Sequence, residues 1–260
     1  MMKRTGIERD AELERRTVKV GDWSVTAWRR LPEVDDGAPP VVCVHGAGIS
    51  SRELRPLVAA LGEHVPAWTV DLPGFGRSTK PPHPMGLPAL ADALAGWLAA
   101  EELPPACLAG CSFGCQLAVD VAVRYPERVG SLVLIGPTVD PMARSWPRLL
   151  AGWLRNSVRE DPRMAPLNVA DYRDAGLRQV LASFRAAMRD RVEDKLPHVS
   201  VPTLVVRGEF DRMVSQEWAE EVTRLTPSAR LVIVPGMPHM IPFRGPEALM
   251  PIIREFAADA

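Results

Sequence analysis

The chain has 260 residues, enough for one sizeable core or for a domain carrying an insertion. Hydrophobic residues make up 47% and charged residues 24%, an ordinary balance for a water-soluble globular protein. Lys plus Arg total 31 against 32 for Asp plus Glu, and the formal net charge of -1 argues against nucleic acid or an anionic membrane as a partner. The opening stretch to Arg16 is charged and lacks the apolar segment of a signal peptide, and no apolar run is long enough to span a bilayer. A cytoplasmic location is therefore expected.

Residues 1–15 read as a mobile polar arm. Thr17 to Val20 and Val25 to Leu31 alternate around Gly21-Asp22 and predict an antiparallel hairpin. Val41-Val42-Cys43-Val44 is a continuous apolar run, as expected of a strand buried on both faces of a parallel sheet. Strands and helices then alternate. Leu54 to Leu61 reads as helix, Ala67 to Val70 as strand, and Leu87 to Glu102 as an amphipathic helix. Ala106 to Ala109 reads as strand, Ser112 to Tyr125 as helix, and Ser131 to Ile135 as a strand stopped by Gly136-Pro137. Residues 138–197 contain no strand pattern and show helical spacing over Asp174 to Met188, so they read as a helical insertion or a run of surface helices. Thr203 to Val206 and Arg230 to Val234 are strands, and Pro246 to Ala257 closes with a helix. This alternation predicts a doubly wound α/β sheet.

Gly110-Cys111-Ser112-Phe113-Gly114 is a G-x-S-x-G stretch between a strand and a helix. A nucleophile on so sharp a turn needs small neighbours, and the following helix N-terminus favours a developing oxyanion. A serine hydroxyl needs a base, and the base an orienting acid. Of five histidines, His239 lies just after the last strand, where the carboxyl edge of the sheet places it over a site. His64 and His83 sit in polar or proline-rich loops, and His198 precedes a strand, at its amino end. Asp211 follows strand Thr203 to Val206 and completes the order Ser112, Asp211, His239. Glu209 and Asp140 are alternative acids, and Asp211 could instead cap a helix starting near Val214. The glycine-rich turn His45-Gly46-Ala47-Gly48 can aim the Ala47 N–H at an oxyanion, with the Phe113 N–H as second donor. His45 is expected to hold that turn rather than act as a base. Cys43, Cys107, Cys111 and Cys115 sit in apolar surroundings and read as buried small hydrophobes; the paired Cys or His spacing of a zinc site is absent.

Together these residues resemble the α/β-hydrolase fold family. The match is carried by His45 to Gly48, by Asp71-Leu72-Pro73-Gly74-Phe75-Gly76-Arg77-Ser78 and by Gly110 to Gly114. The resemblance implies an α/β-hydrolase fold: an eight-stranded, mostly parallel sheet flanked by helices, over 1–137 and 198–260, with 138–197 as a helical cap. The Asp71 to Ser78 stretch is expected to be structural. Ser112 stands where dehalogenases and epoxide hydrolases carry Asp, which argues against both, and Met240 stands where ring-cleavage carbon–carbon bond hydrolases often carry Trp. The expected activity is hydrolysis of a small or medium carboxylic ester or lactone, a small-molecule substrate, with neither metal nor organic cofactor. A carbon–carbon bond hydrolase of a diketone-like acid is the alternative enzyme, and a ligand receptor or inactive binding module the alternative outside enzymes. Trp146, Leu149, Leu150 and Trp153 suit an acyl or aromatic pocket, but packing within the cap is the preferred reading. One of the cap arginines Arg144, Arg148, Arg155, Arg178 and Arg185 could bind a substrate carboxylate, but most are expected to be solvated, with acidic neighbours such as Asp171, Asp174 and Glu160 offering partners.

Overall fold

A computed structural model of the chain describes residues 12–34 and 37–260. Its elements in chain order are β1 (Glu14–Val20), β2 (Trp23–Arg30), β3 (Val41–Val44), α1 (Arg55–Leu61), β4 (Ala67–Asp71), α2 (Leu87–Ala100), β5 (Ala106–Cys111), α3 (Phe113–Arg124) and β6 (Val129–Ile135). There follow α4 (Trp146–Ser157), α5 (Met164–Ala175), α6 (Leu177–Arg189), α7 (Val192–Lys195), β7 (Thr203–Gly208), α8 (Gln216–Leu225), β8 (Ala229–Val234), α9 (Ile241–Arg244) and α10 (Pro246–Asp259). Most of the expected polar arm, residues 1–11, lies outside the described residues. Its last part does not behave as an arm: Leu13 is buried, and Glu14 and Arg15 pair with Arg29 and Trp28 in the hairpin.

The eight strands form one sheet in the order β1-β2-β4-β3-β5-β6-β7-β8. β1 to β2 and β2 to β4 are antiparallel, and the remaining pairings are parallel. Side chains alternate across the parallel strands. Val42, Val44, Leu108, Leu132 and Leu134 enter one core with α2, α3 and α8, while Val41, Cys43, Cys107, Ala109 and Val133 enter a second with α1 and α10. Helices on both faces are why these strands read as unbroken apolar runs. No helix among the described residues is long and apolar enough to cross a membrane.

No strand interrupts the segment between β6 and β7, as the pattern requires. The helical span expected over Asp174 to Met188 is two helices, because Gly176 takes φ +78 and ends α5 before α6 begins. The acids assigned to the cap arginines mostly serve elsewhere. Asp171 accepts from the Ser50 N–H at 2.8 Å and Oγ at 2.7 Å and pairs with Arg52, while Asp174 pairs with Arg52 at 2.6 Å. These bonds lash α5 to the loop after β3 rather than neutralising neighbouring arginines. Arg144 instead pairs with Glu193.

Candidate active site

The chain leaves β3 for β4 on one side and returns to β5 on the other, so the winding reverses at β3. In open α/β sheets the crevice outside the carboxyl ends at such a reversal is where ligands bind. The loops after β3, β5, β6, β7 and β8 converge there, and with them every residue singled out for chemistry.

Ser112 sits between β5 and α3 at φ +56, ψ -119. Among the described residues only Glu102 and Ser112 hold positive φ without being glycine. Such a conformation costs on the order of 1–3 kcal/mol and persists only where the surroundings impose it. The flanking glycines explain how the turn closes. A Cβ on Gly110 would lie 2.4 Å from the Gly114 carbonyl oxygen, and one on Gly114 would lie 2.2 Å from that of Val44. Neither position has room for a methyl group. The Ser112 N–H donates to the Ile135 carbonyl at 2.9 Å, which seats the turn on the end of β6. The side chain stays partly exposed, with Oγ 3.4 Å from Oγ1 of Thr138.

The turn after β3 rests against this serine. A Cβ on Gly46 would lie 3.4 Å from Cβ of Ser112. His45 is buried; its Nδ1–H donates to the Gly46 carbonyl at 2.9 Å, and its Nε2 accepts from the Leu72 N–H at 3.2 Å. Both ring nitrogens are used by the backbone, so the ring is neutral, and burial lowers its pKa further. His45 thus holds the turn, as expected. Among the described residues neither the Ala47 nor the Phe113 N–H has a backbone acceptor, and the latter opens α3. Asp71 shapes the neighbouring wall: its carboxylate accepts from the Ser51 and Arg77 N–H groups at 2.9 Å each and fills the space beside Gly76.

His239 and Asp211 meet across the ends of β7 and β8. Nδ1 of His239 and Oδ2 of Asp211 are 2.7 Å apart, both side chains buried. Oδ1 of Asp211 accepts from the N–H groups of Met213 at 2.7 Å and Val214 at 3.0 Å. The same carboxylate therefore caps the turn before α8 and faces the histidine. Burial pushes the imidazole pKa down, but the Asp211 carboxylate, with Glu160 adding to it, more than offsets this, and the net shift is upward. The other acids face elsewhere: Glu209 accepts from the Gly236 N–H at 2.7 Å, and Asp140 from the Met142 N–H and the Ser215 hydroxyl. The imidazole lies on Gly136, where a Cβ would be 2.8 Å from Cε1 and Nδ1. Ser112 and the imidazole thus flank the same Ile135–Gly136 strand end. His64, His83 and His198 are partly or fully exposed, away from this cluster.

Several contributors escaped sequence reasoning. Arg207, at the end of β7, is buried and donates to the carbonyls of Val214 at 2.9 Å and Asp211 at 3.0 Å, bracing the acid's loop. Two residues of the segment between β6 and β7 reach both loops of the pair. Oδ1 of Asn156 accepts from the Arg212 N–H at 3.3 Å, and its Nδ2 donates to Oε1 of Glu160 at 2.5 Å. That oxygen also accepts from the Met240 N–H at 3.0 Å. Arg212 follows Asp211 and Met240 follows His239, so one short chain of bonds spans the pair. Nothing in the sequence marks Asn156, and Glu160 stood out only as an acid near the cap arginines; Gly136, directly after a strand, could have signalled a close approach.

The four cysteines are free and buried, with thiol pKa values raised by burial, to about 11 for Cys107. No cluster of His, Cys, Asp and Glu able to hold a metal occurs among the described residues. The arrangement offers a hydroxyl on a strained turn, two N–H donors beside it and an acid-supported imidazole.

Residues 41–251 match the model of the Alpha/beta hydrolase family. A 2-(acetamidomethylene)succinate hydrolase of Mesorhizobium japonicum is 28% identical over 243 residues, covering 84% of this chain and 87% of its own. A pimeloyl-[acyl-carrier protein] methyl ester esterase of Aeromonas hydrophila is 28% identical over 249 residues, covering 84% and 95%. Among solved structures, a membrane phospholipase A described as a bacterial virulence factor superposes with a TM-score of 0.75 at 27% identity, covering 96% of this chain and 87% of its own.

Proposed function

Because the chain belongs to the Alpha/beta hydrolase family, we propose that it is a carboxylic ester hydrolase working through a Ser112, His239 and Asp211 triad, with residues 138–197 as its cap. The observation that carries this reading is the pairing of Ser112 at φ +56 with the 2.7 Å contact of His239 and Asp211 on the neighbouring strand end. Similarity to a methyl ester esterase and to a phospholipase A favours an ester bond over other acyl bonds.

The chemistry follows from the atoms. With Nδ1 of His239 facing Asp211, Nε2 is the nitrogen left for the hydroxyl. The Ser112 Oγ–H turns from Thr138 toward Nε2 and gives up its proton as Oγ attacks the ester carbonyl carbon. Negative charge grows on the carbonyl oxygen, and the N–H groups of Ala47 and Phe113, with the α3 N-terminus, stabilise it. The imidazolium is stabilised by Asp211 and protonates the leaving alcohol. Water, deprotonated by His239, then hydrolyses the acyl-serine and restores the enzyme.

The test is turnover of p-nitrophenyl acetate and butyrate. Wild-type protein hydrolyses both. Folded Ser112→Ala loses kcat by a factor on the order of a million, as removal of such a nucleophile does elsewhere. Undiminished turnover by the variant contradicts the assignment.

A further inference from the structure

The packing expected of Trp146, Leu149, Leu150 and Trp153 is incomplete, and only Leu149 is half-buried enough to fit it. Trp146 is 44% exposed, Trp153 43% and Leu150 56%. Of ten large apolar residues exposed among the described residues, eight lie between Met142 and Leu177, and only Leu31 and Val34 lie elsewhere. An accumulation of this kind on one part of a surface marks a binding region.

Exposed and partly buried apolar residues are arranged in register, with Val180 buried beneath them. On α4, Trp146, Leu149, Leu150 and Trp153 recur at helical spacing, as do Leu177, Val180, Leu181 and Phe184 on α6. Val169 and Tyr172 of α5 complete a groove of about 460 Å³ between the three helices, with Arg173 its one charged lining residue. That volume lies within the range of small-molecule sites.

The groove is joined to the catalytic loops at two points. Its floor touches the turn that bears Ala47: a Cβ on Gly48 would lie 3.1 Å from Val180, 3.3 Å from Phe184 and 3.3 Å from Tyr172. Its wall includes Met213, whose N–H donates to Asp211 at 2.7 Å. Tyr172, Val180 and Phe184 thus stand between the Ala47 turn and the groove, and a chain that reached beyond them from an ester carbonyl at Ser112 would lie along α4 and α6. Apart from the Tyr172 hydroxyl, the Trp146 and Trp153 indole N–H groups and Arg173, the lining is aliphatic, aromatic or thioether surface, which matches a hydrocarbon chain better than a polar one.

We propose that the groove between α4, α5 and α6 binds an unbranched apolar chain of the ester substrate, which makes medium- and long-chain esters the preferred substrates. The proposal rests on the ester hydrolase reading. The chain belongs to either the acyl or the alcohol side of the ester; both present the same hydrocarbon to the groove.

Two substrate series test this. p-Nitrophenyl esters from acetate to decanoate lengthen the acyl side, and alkyl acetates from ethyl to decyl lengthen the alcohol side. In one series kcat/KM rises about threefold per added methylene over the first few carbons, through a falling KM, and levels off once the groove is filled. The Leu150→Asp, Leu177→Asp double variant, altered only at exposed positions, flattens that rise. Leu31→Asp, equally exposed but at the amino edge of the sheet, keeps the wild-type profile. Flat profiles in both series, with esters turned over, overturn the groove and leave the ester hydrolase reading standing. If no ester is turned over, that reading fails, and binding decides the groove by itself. Decanol and decanoate then quench the tryptophan fluorescence of Ser112→Ala in the micromolar range, and Trp153→Leu in that background removes most of the quench. Absence of quenching, or an equal response in the Leu150→Asp, Leu177→Asp variant, overturns the proposal.

Discussion

Glu160 is the residue through which the segment between β6 and β7 bears most directly on the chemistry. Its Oε1 holds the Met240 N–H, and its charge adds to that of Asp211 in raising the His239 pKa. Burial raises the pKa of Glu160 itself, and Glu53, deeper still, has a pKa well above the usual carboxylate range. In the proposed mechanism His239 must be neutral to accept the serine proton, so its pKa would set the acidic limb of kcat/KM. Glu160→Gln keeps an acceptor for Met240 and Asn156 but removes the charge. The acidic limb is then expected at lower pH than in wild type, measured on a p-nitrophenyl ester. A limb that does not move contradicts the coupling. Sequence order sufficed to nominate Ser112, Asp211 and His239, because all three follow strands at one edge. Glu160 was not legible in that way: it meets Met240 across 80 residues, a contact made by the path of the chain rather than by a local pattern.

At the scale of elements, turn glycines set the geometry and the segment above is fastened to it. Gly114→Ala would drive a methyl group into the Val44 carbonyl. Relief requires α3 to shift, at about 1–3 kcal/mol or more. A fall in Tm on the order of 5 °C is expected by calorimetry, and an unchanged Tm would contradict the packing described. Asp171 is the principal fastening of α5 to the core, through Ser50 and Arg52. Asp171→Ala removes three bonds to a buried carboxylate and is expected to speed amide exchange in residues 164–175 by about tenfold or more, while β3 to β7 remain protected. Equal exchange in both proteins would place the fastening elsewhere. The strands were readable where continuous apolar runs met two helical layers, as in Val41 to Val44. They were cut short where glycine serves packing. Gly208 ends β7, two residues beyond the expected stop at Val206, because the carbonyl of Pro238 would lie 2.2 Å from any Cβ there. The break at Gly176 was hidden because Gly176 is the single residue between the end of α5 at Ala175 and the start of α6 at Leu177.

For the whole molecule, the reversal of winding at β3 gathers five loops at one edge, and residues of the segment after β6 bond to three of them, Asp171 to Ser50, Asn156 to Arg212 and Glu160 to Met240. The sheet class follows from the alternation of apolar runs and amphipathic stretches. The openness of the upper face does not, because apolar helical spacing looks the same whether it faces a core or a groove. The proposed triad requires Ser112 to be an activated nucleophile in this assembly. The most direct measurement is reaction with a fluorophosphonate, read by intact mass and peptide mapping, on wild type, Ser112→Ala and Cys111→Ser. One label on the peptide carrying Ser112, absent from Ser112→Ala and retained in Cys111→Ser, is the predicted result. Folded wild-type protein that stays unlabelled, or that carries its label on another residue, would contradict the account.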